Sequence, residues 1–162
     1  MARAITIRIE GADEVIRALD KLPKDAQRAM RREAKDIATS LADFIKIAGR
    51  AQGGAQGARA ASTVREGNEG FWPVITASNT GAARGRRPSV KGGGVLFGSV
   101  FGQTRKSGWY RKRRYFGSAG DQFRPHIDYP GYWFFKTAEE RQPWIESEWH
   151  GAAEEVVRQW SA

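Results

Sequence analysis

KDAQRAMRREAKDIATSLADFIKIA, residues 24–48, is the longest stretch of regular patterning in the chain. Met30, Ala34, Ile37, Leu41, Phe44, Ile45 and Ala48 recur at spacings of three and four. Arg28, Arg31, Arg32, Glu33, Lys35, Asp36 and Asp43 fill much of the rest. That period predicts one amphipathic helix, about 37 Å long at the α-helical rise. Its simplest role is core packing, and nothing in it calls for a membrane. Pro23, just ahead of it, suits a first helical turn.

Upstream, Ile5, Ile7 and Ile9 alternate with Thr6 and Arg8, the period of a half-buried strand. Gly11 ends it, and Asp13 is the expected N-cap of a short helix reaching Leu19. Downstream, residues 49–60 are rich in Gly, Ala and Gln and read as a flexible loop. Ala61–Arg65 and Phe71–Ser78 read as two strands around a turn at Gly67-Asn68-Glu69-Gly70. Pro73 puts the second of them at a sheet edge or makes its start irregular. Toward the end, Tyr129-Pro130-Gly131 reads as a turn and Phe134 to Glu140 as a helix. Pro143 interrupts or restarts that helix. Trp144, Ile145, Trp149, Ala152, Ala153, Val156, Val157 and Trp160 then mark an apolar stripe to the C-terminus. The sum is an α+β fold: a small, mostly antiparallel sheet packed on a long helix, with a C-terminal helix.

Charge divides the chain unevenly. The 162 residues carry a formal net charge of +9. Residues 70–120 hold ten cations and no acid, so the rest of the chain sums to −1. The cations are Arg84, Arg86, Arg87, Lys91, Arg105, Lys106, Arg111, Lys112, Arg113 and Arg114, interleaved with glycines and with Trp109, Tyr110, Tyr115 and Phe116. Like charges repel and glycines lose much backbone entropy on ordering. This predicts a single domain, residues 1–162, whose body spans 1–79 and 121–162 and whose residues from about 80 to 120 form a basic surface arm that orders against something else. A charge run is most often a solvated loop, but a purely solvated loop gains nothing from four large aromatics. Two functional readings of the arm remain: stacking and phosphate neutralisation on nucleic acid, or docking on a partner subunit, where Arg, Tyr and Trp are the usual anchors.

The means for catalysis are few. Cysteine is absent, which removes disulfides and thiolate chemistry. The two histidines, His126 and His150, are not at metal-ligand spacing. Gly93 to Gly98 has the glycine spacing of a phosphate loop, but Ser99-Val100 follows where the lysine is needed. Glu139-Glu140 and Glu154-Glu155 are adjacent pairs that diverge on a helix. The expectation is a protein that is not an enzyme and needs no cofactor or metal. With no secretory signal or membrane-length apolar run, it is expected to be made in the cytoplasm and to avoid membranes.

The opening Ile-rich strand, Gly11-Ala12-Asp13-Glu14-Val15, the Leu19 to Pro23 stretch and the long helix resemble the layout of the head–tail connector, or tail-completion, proteins of long-tailed bacteriophages. Gly98-Ser99-Val100-Phe101-Gly102 looks like the family's aromatic–glycine turn, with Val100 where an acidic residue is common. Gln122-Phe123-Arg124-Pro125-His126 and Gly131-Tyr132-Trp133-Phe134-Phe135 are similar to stretches of the versions from phages of actinobacteria. The resemblance implies a non-enzymatic virion protein at the head–tail junction, made in the host cytoplasm. It would assemble as a ring of six or twelve copies that joins the portal side to the tail and surrounds the DNA path. Adjacent neck, portal-adaptor and tail proteins would be its partners, and some arginines could face DNA in the lumen. A closed ring needs two different patches per subunit, which the cationic arm and the near-neutral remainder could supply. The rival reading is a free nucleic-acid-binding protein.

Overall fold

A computed structural model of the chain describes residues 3–6, 9–77, 93–102 and 123–161. The fold is α+β, mostly helical, with a small sheet. The elements in order are β1 (Arg3–Thr6), α1 (Ala12–Asp20), α2 (Lys24–Gln52), a 3-10 turn (Gly54–Gln56), α3 (Gly57–Ala61), β2 (Val64–Glu69), β3 (Trp72–Ala77), α4 (Gly93–Phe101), α5 (Phe134–Glu140) and α6 (Gln142–Trp160). They fall into two compact units. One, here the helix–sheet unit, comprises Ala4–Ala42, Arg65–Thr76 and Glu140–Ala162. The other, the glycine–aromatic unit, comprises Met1–Arg3, Asp43–Val64 and Ala77–Glu139.

In the helix–sheet unit the strand order is β1-β3-β2. β2 and β3 form an antiparallel hairpin, and its turn lies at Gly70-Phe71, later than the sequence suggested. Gly70 takes φ +61°, a left-handed conformation that a side chain disfavours, and this is the point at which the chain reverses. Asn68 Nδ2 donates to the Gly70 carbonyl at 2.9 Å and braces the turn. β3 is the middle strand, not an edge, with Pro73 as its second residue. Trp149 of α6 is fully buried; its Nε1 donates to the Phe71 carbonyl at 2.7 Å, and its ring stacks on Trp72 at 5.9 Å. The Arg31 guanidinium of α2 lies 5.6 Å over the Phe71 ring.

α1 begins at Ala12 behind Gly11, which takes φ +74° and offers no side-chain cap. Asp13, expected as the N-cap, sits inside the first turn, where its charge still favours the helix N-terminus. The apolar stripe of α2 is buried much as its period predicts, at Met30, Ala34, Ile37, Leu41 and Ile45. Along α6 the same holds for Ile145, Trp149, Ala153 and Val156, with Pro143 in the first turn. Among the described residues no helix is long and apolar enough to cross a membrane.

The glycine–aromatic unit departs further from expectation. Residues 49–60 are not a flexible loop: α2 continues to Gln52, and the 3-10 turn and α3 follow at once. Small residues make this possible. Gly49, Gly53 and Gly57 are buried, Gly53 N–H donates to the Gly49 carbonyl at 3.0 Å, and a methyl on Gly57 would overlap that same carbonyl oxygen. A methyl on Gly49 would lie 2.8 Å from the Trp133 ring. Ser99 joins this cluster. Its hydroxyl donates to the Gly53 carbonyl at 2.9 Å, and the fully buried Trp133 donates its Nε1 to the Ser99 carbonyl and hydroxyl at 3.0 and 3.1 Å.

Part of the expected surface arm is likewise interior. Residues 93–101 form α4, and Val95, Leu96, Ser99 and Val100 are buried. Local propensity disfavours a helix in so glycine-rich a stretch. Packing supports it, since Gly98 is in contact with the Phe123 ring, where a methyl would come within 2.6 Å.

Candidate partner-binding surface

All fourteen residues singled out on the arm lie in 78–92 or 103–122, outside the described residues. What the structure does give is the base from which residues 103–122 leave and to which they return. α4 ends at Phe101. Gly102 follows with φ +70°, its N–H donating to the Gly98 carbonyl at 2.9 Å, a left-handed stop to the helix. Any side chain here would also collide with the Pro125 carbonyl oxygen. The returning strand is held against the same helix end. Ile127 N–H donates to the Phe101 carbonyl at 2.8 Å, and Tyr132 N–H donates to the Val100 carbonyl at 2.6 Å. Gly131, φ +77°, packs so closely that a methyl would lie 2.6 Å from the Val100 oxygen. Tyr132 Oη donates to the Pro125 carbonyl at 2.7 Å, and the Arg124 guanidinium covers the Tyr132 ring at 5.0 Å.

The stretch between Gly102 and Phe123 is twenty residues long, yet the described residues that flank it meet: the Gly102 backbone lies against the Arg124 and Pro125 carbonyls. Six of its residues are cationic: Arg105, Lys106, Arg111, Lys112, Arg113 and Arg114. Residues 78–92 carry the other four cations, and α4 begins directly after them at Gly93.

Beside this base runs a row of rings. Phe97 stacks on Phe101 (6.2 Å between centroids), Phe101 on Phe135 (5.7 Å), and Tyr129 tilts against Phe135 (5.5 Å). The phenylalanines are half-buried and Tyr129 is 64% exposed, so the row emerges at the surface. The Tyr129 hydroxyl donates to the Glu139 carboxylate, and this bond, then burial and the negative charge beside it, raise the phenol pKa above its ordinary value. The Tyr129–Pro130 peptide is cis, within the turn expected there. His126 is exposed with its Nε2 3.6 Å from Asp128 Oδ1. His150 Nε2 lies 3.1 Å from the Glu10 carbonyl oxygen. Among the described residues no group of three or more His, Asp or Glu is placed to hold a metal ion.

Composition draws attention to the arm's charges rather than to the residues that flank it. The signal was nonetheless present. Gly98 to Gly102 and Phe123 to Phe135 are the two aromatic–glycine stretches that bracket residues 103–122. No family model, curated protein or solved structure matches the chain.

Proposed function

We propose that the chain is a structural protein of the neck of a long-tailed bacteriophage, a head–tail connector or tail-completion protein without catalytic activity. Copies form a ring of six or twelve at the head–tail junction of the virion, joining the portal side to the tail around the DNA path, with adjacent neck, portal-adaptor and tail proteins as neighbours. One observation supports the reading: the described residues on either side of the cationic, aromatic stretch 103–122 pack closely on one another, Gly102 against Pro125 and Val100 against Tyr132. Such a construction presents a grip without asking the grip to hold the fold together. The layout of strand, short helix and long helix, β1 to α2, agrees with the resemblance read from the sequence.

Deleting residues 105–116 tests it. Because Gly102 lies against the Arg124 and Pro125 backbone, the remaining residues bridge the gap and the circular dichroism spectrum stays that of the intact chain. Infectious particles are lost, and heads and tails accumulate unjoined. A normal particle yield overturns the proposal.

The ten cations among four large aromatics favour a second reading, a free nucleic-acid-binding protein. Filter binding across a salt series separates the two. Tight binding of the isolated protein to DNA, falling steeply with salt, supports the second reading; weak binding supports the connector.

A further inference from the structure

In the helix–sheet unit, α1 and α6 pack side by side and leave an open cleft of about 440 Å³. Val15, Ala18, Ala153 and Val157 supply its apolar lining, and Glu14, Glu154 and Arg158 its polar edge. Arg158 is already engaged by Glu155. Among the described residues no hydrogen bond or ion pair engages Glu14 or Glu154. The two helices are acidic as a pair: Asp13, Glu14, Asp20, Glu146, Glu148, Glu154 and Glu155 stand against Arg17 and Arg158. The cleft thus offers an apolar floor between unpaired carboxylates, on a surface of net negative charge. Nucleic acid is excluded as its occupant by sign.

The chain itself contains the complementary chemistry. Residues 105–116 read Arg-Lys-Ser-Gly-Trp-Tyr-Arg-Lys-Arg-Arg-Tyr-Phe, with six cations, four aromatics and no acid. The volume of the cleft is that of a small ligand pocket, enough for an aromatic side chain, while arginines beside it reach carboxylates on the rim. We propose that the α1/α6 cleft receives residues 105–116 of a second copy of this chain, aromatic on the apolar floor and arginine on Glu14 and Glu154. Grip and receptor are different patches of one subunit, so the contact is heterologous: each copy holds the next, and rotation closes the series into a ring. The inference rests on the reading of the chain as a self-assembling neck component and names the surface that does it.

Sedimentation of the purified full-length protein tests it with two variants, Glu14→Lys/Glu154→Lys and the 105–116 deletion. The wild type assembles, and each variant alone weakens assembly at least about tenfold. An equimolar mixture of the two gives a 1:1 complex that grows no further, since one partner keeps only its grip and the other only its receptor. Glu14→Gln/Glu154→Gln, which keeps the side-chain shape, weakens assembly in the same direction and guards against misfolding of the lysine variant. A wild type that stays monomeric, assembly indifferent to either glutamate variant, a mixture that does not pair, or assembly that needs added DNA overturns the inference. The two proposals fail separately. Pairing in solution with no copy in particles removes the neck assignment alone, and a ring in particles that tolerates Glu14→Lys/Glu154→Lys removes only the cleft.

Discussion

The two units are held together by opposite means. In the helix–sheet unit, side chains fill the space between elements: Leu19, Met30, Ile145 and Trp149 are all fully buried. In the glycine–aromatic unit the decisive feature is the side chains that are missing. Gly53 and Gly57 lie against the Gly49 carbonyl, Gly102 against the Pro125 carbonyl and Gly131 against the Val100 carbonyl, while Gly49 and Gly98 make room for the Trp133 and Phe123 rings. The first kind of packing tolerates volume-conserving exchange. The second tolerates no added atom at all.

The same substitution should therefore have opposite signs in the two units. Gly57→Ala drives a methyl into the Gly49 carbonyl and should cost about 3 kcal/mol, seen as a lower midpoint in urea unfolding. A cost below about 1 kcal/mol would mean that the close approach is not what holds α3. Next in size is Trp149→Phe, which keeps most of the buried ring but leaves the Phe71 carbonyl without its donor. Its expected cost is about 1–3 kcal/mol, and hydrogen exchange across the β2–β3 hairpin should speed up with it. Smallest is Gly151→Ala on α6. Nothing lies within 4 Å of the position a methyl would take, so the substitution should stabilise the protein by about 0.5–1 kcal/mol through helix propensity alone. Destabilisation there would show that this face of α6 is covered, and would erase the contrast with Gly57.

This contrast also explains which parts of the fold were legible in the sequence. α1, α2, α5 and α6 announce themselves by apolar spacing, because side-chain packing leaves a periodic trace. The hairpin was visible but misplaced, since Gly67 and Gly70 are both turn-formers and only Gly70 takes the left-handed conformation. α3 and α4 were missed. Gly57-Ala58-Arg59-Ala60-Ala61 and Gly93-Gly94-Val95-Leu96-Phe97-Gly98 have the composition of linkers, and their helical state is supported by packing on residues outside each segment, Gly49 for one and Phe123 for the other. Glycine lowers helix propensity by about 1 kcal/mol per residue, so a helix selected for closeness reads locally as a loop. At the candidate surface, charge and aromatic content were apparent from composition, whereas the base that carries them depends on pairings such as Val100 with Tyr132 that no local pattern encodes.

The close approach of Gly102 to the Arg124 and Pro125 backbone has an evolutionary consequence. Closing a longer segment between fixed points adds little entropy, about 0.6 kcal/mol for each doubling of length. Insertions, deletions and wholesale exchange between these two positions would leave the host architecture almost untouched. The sequence between these positions can therefore diverge freely, while the packing around Gly98, Pro125 and Tyr132 stays the same.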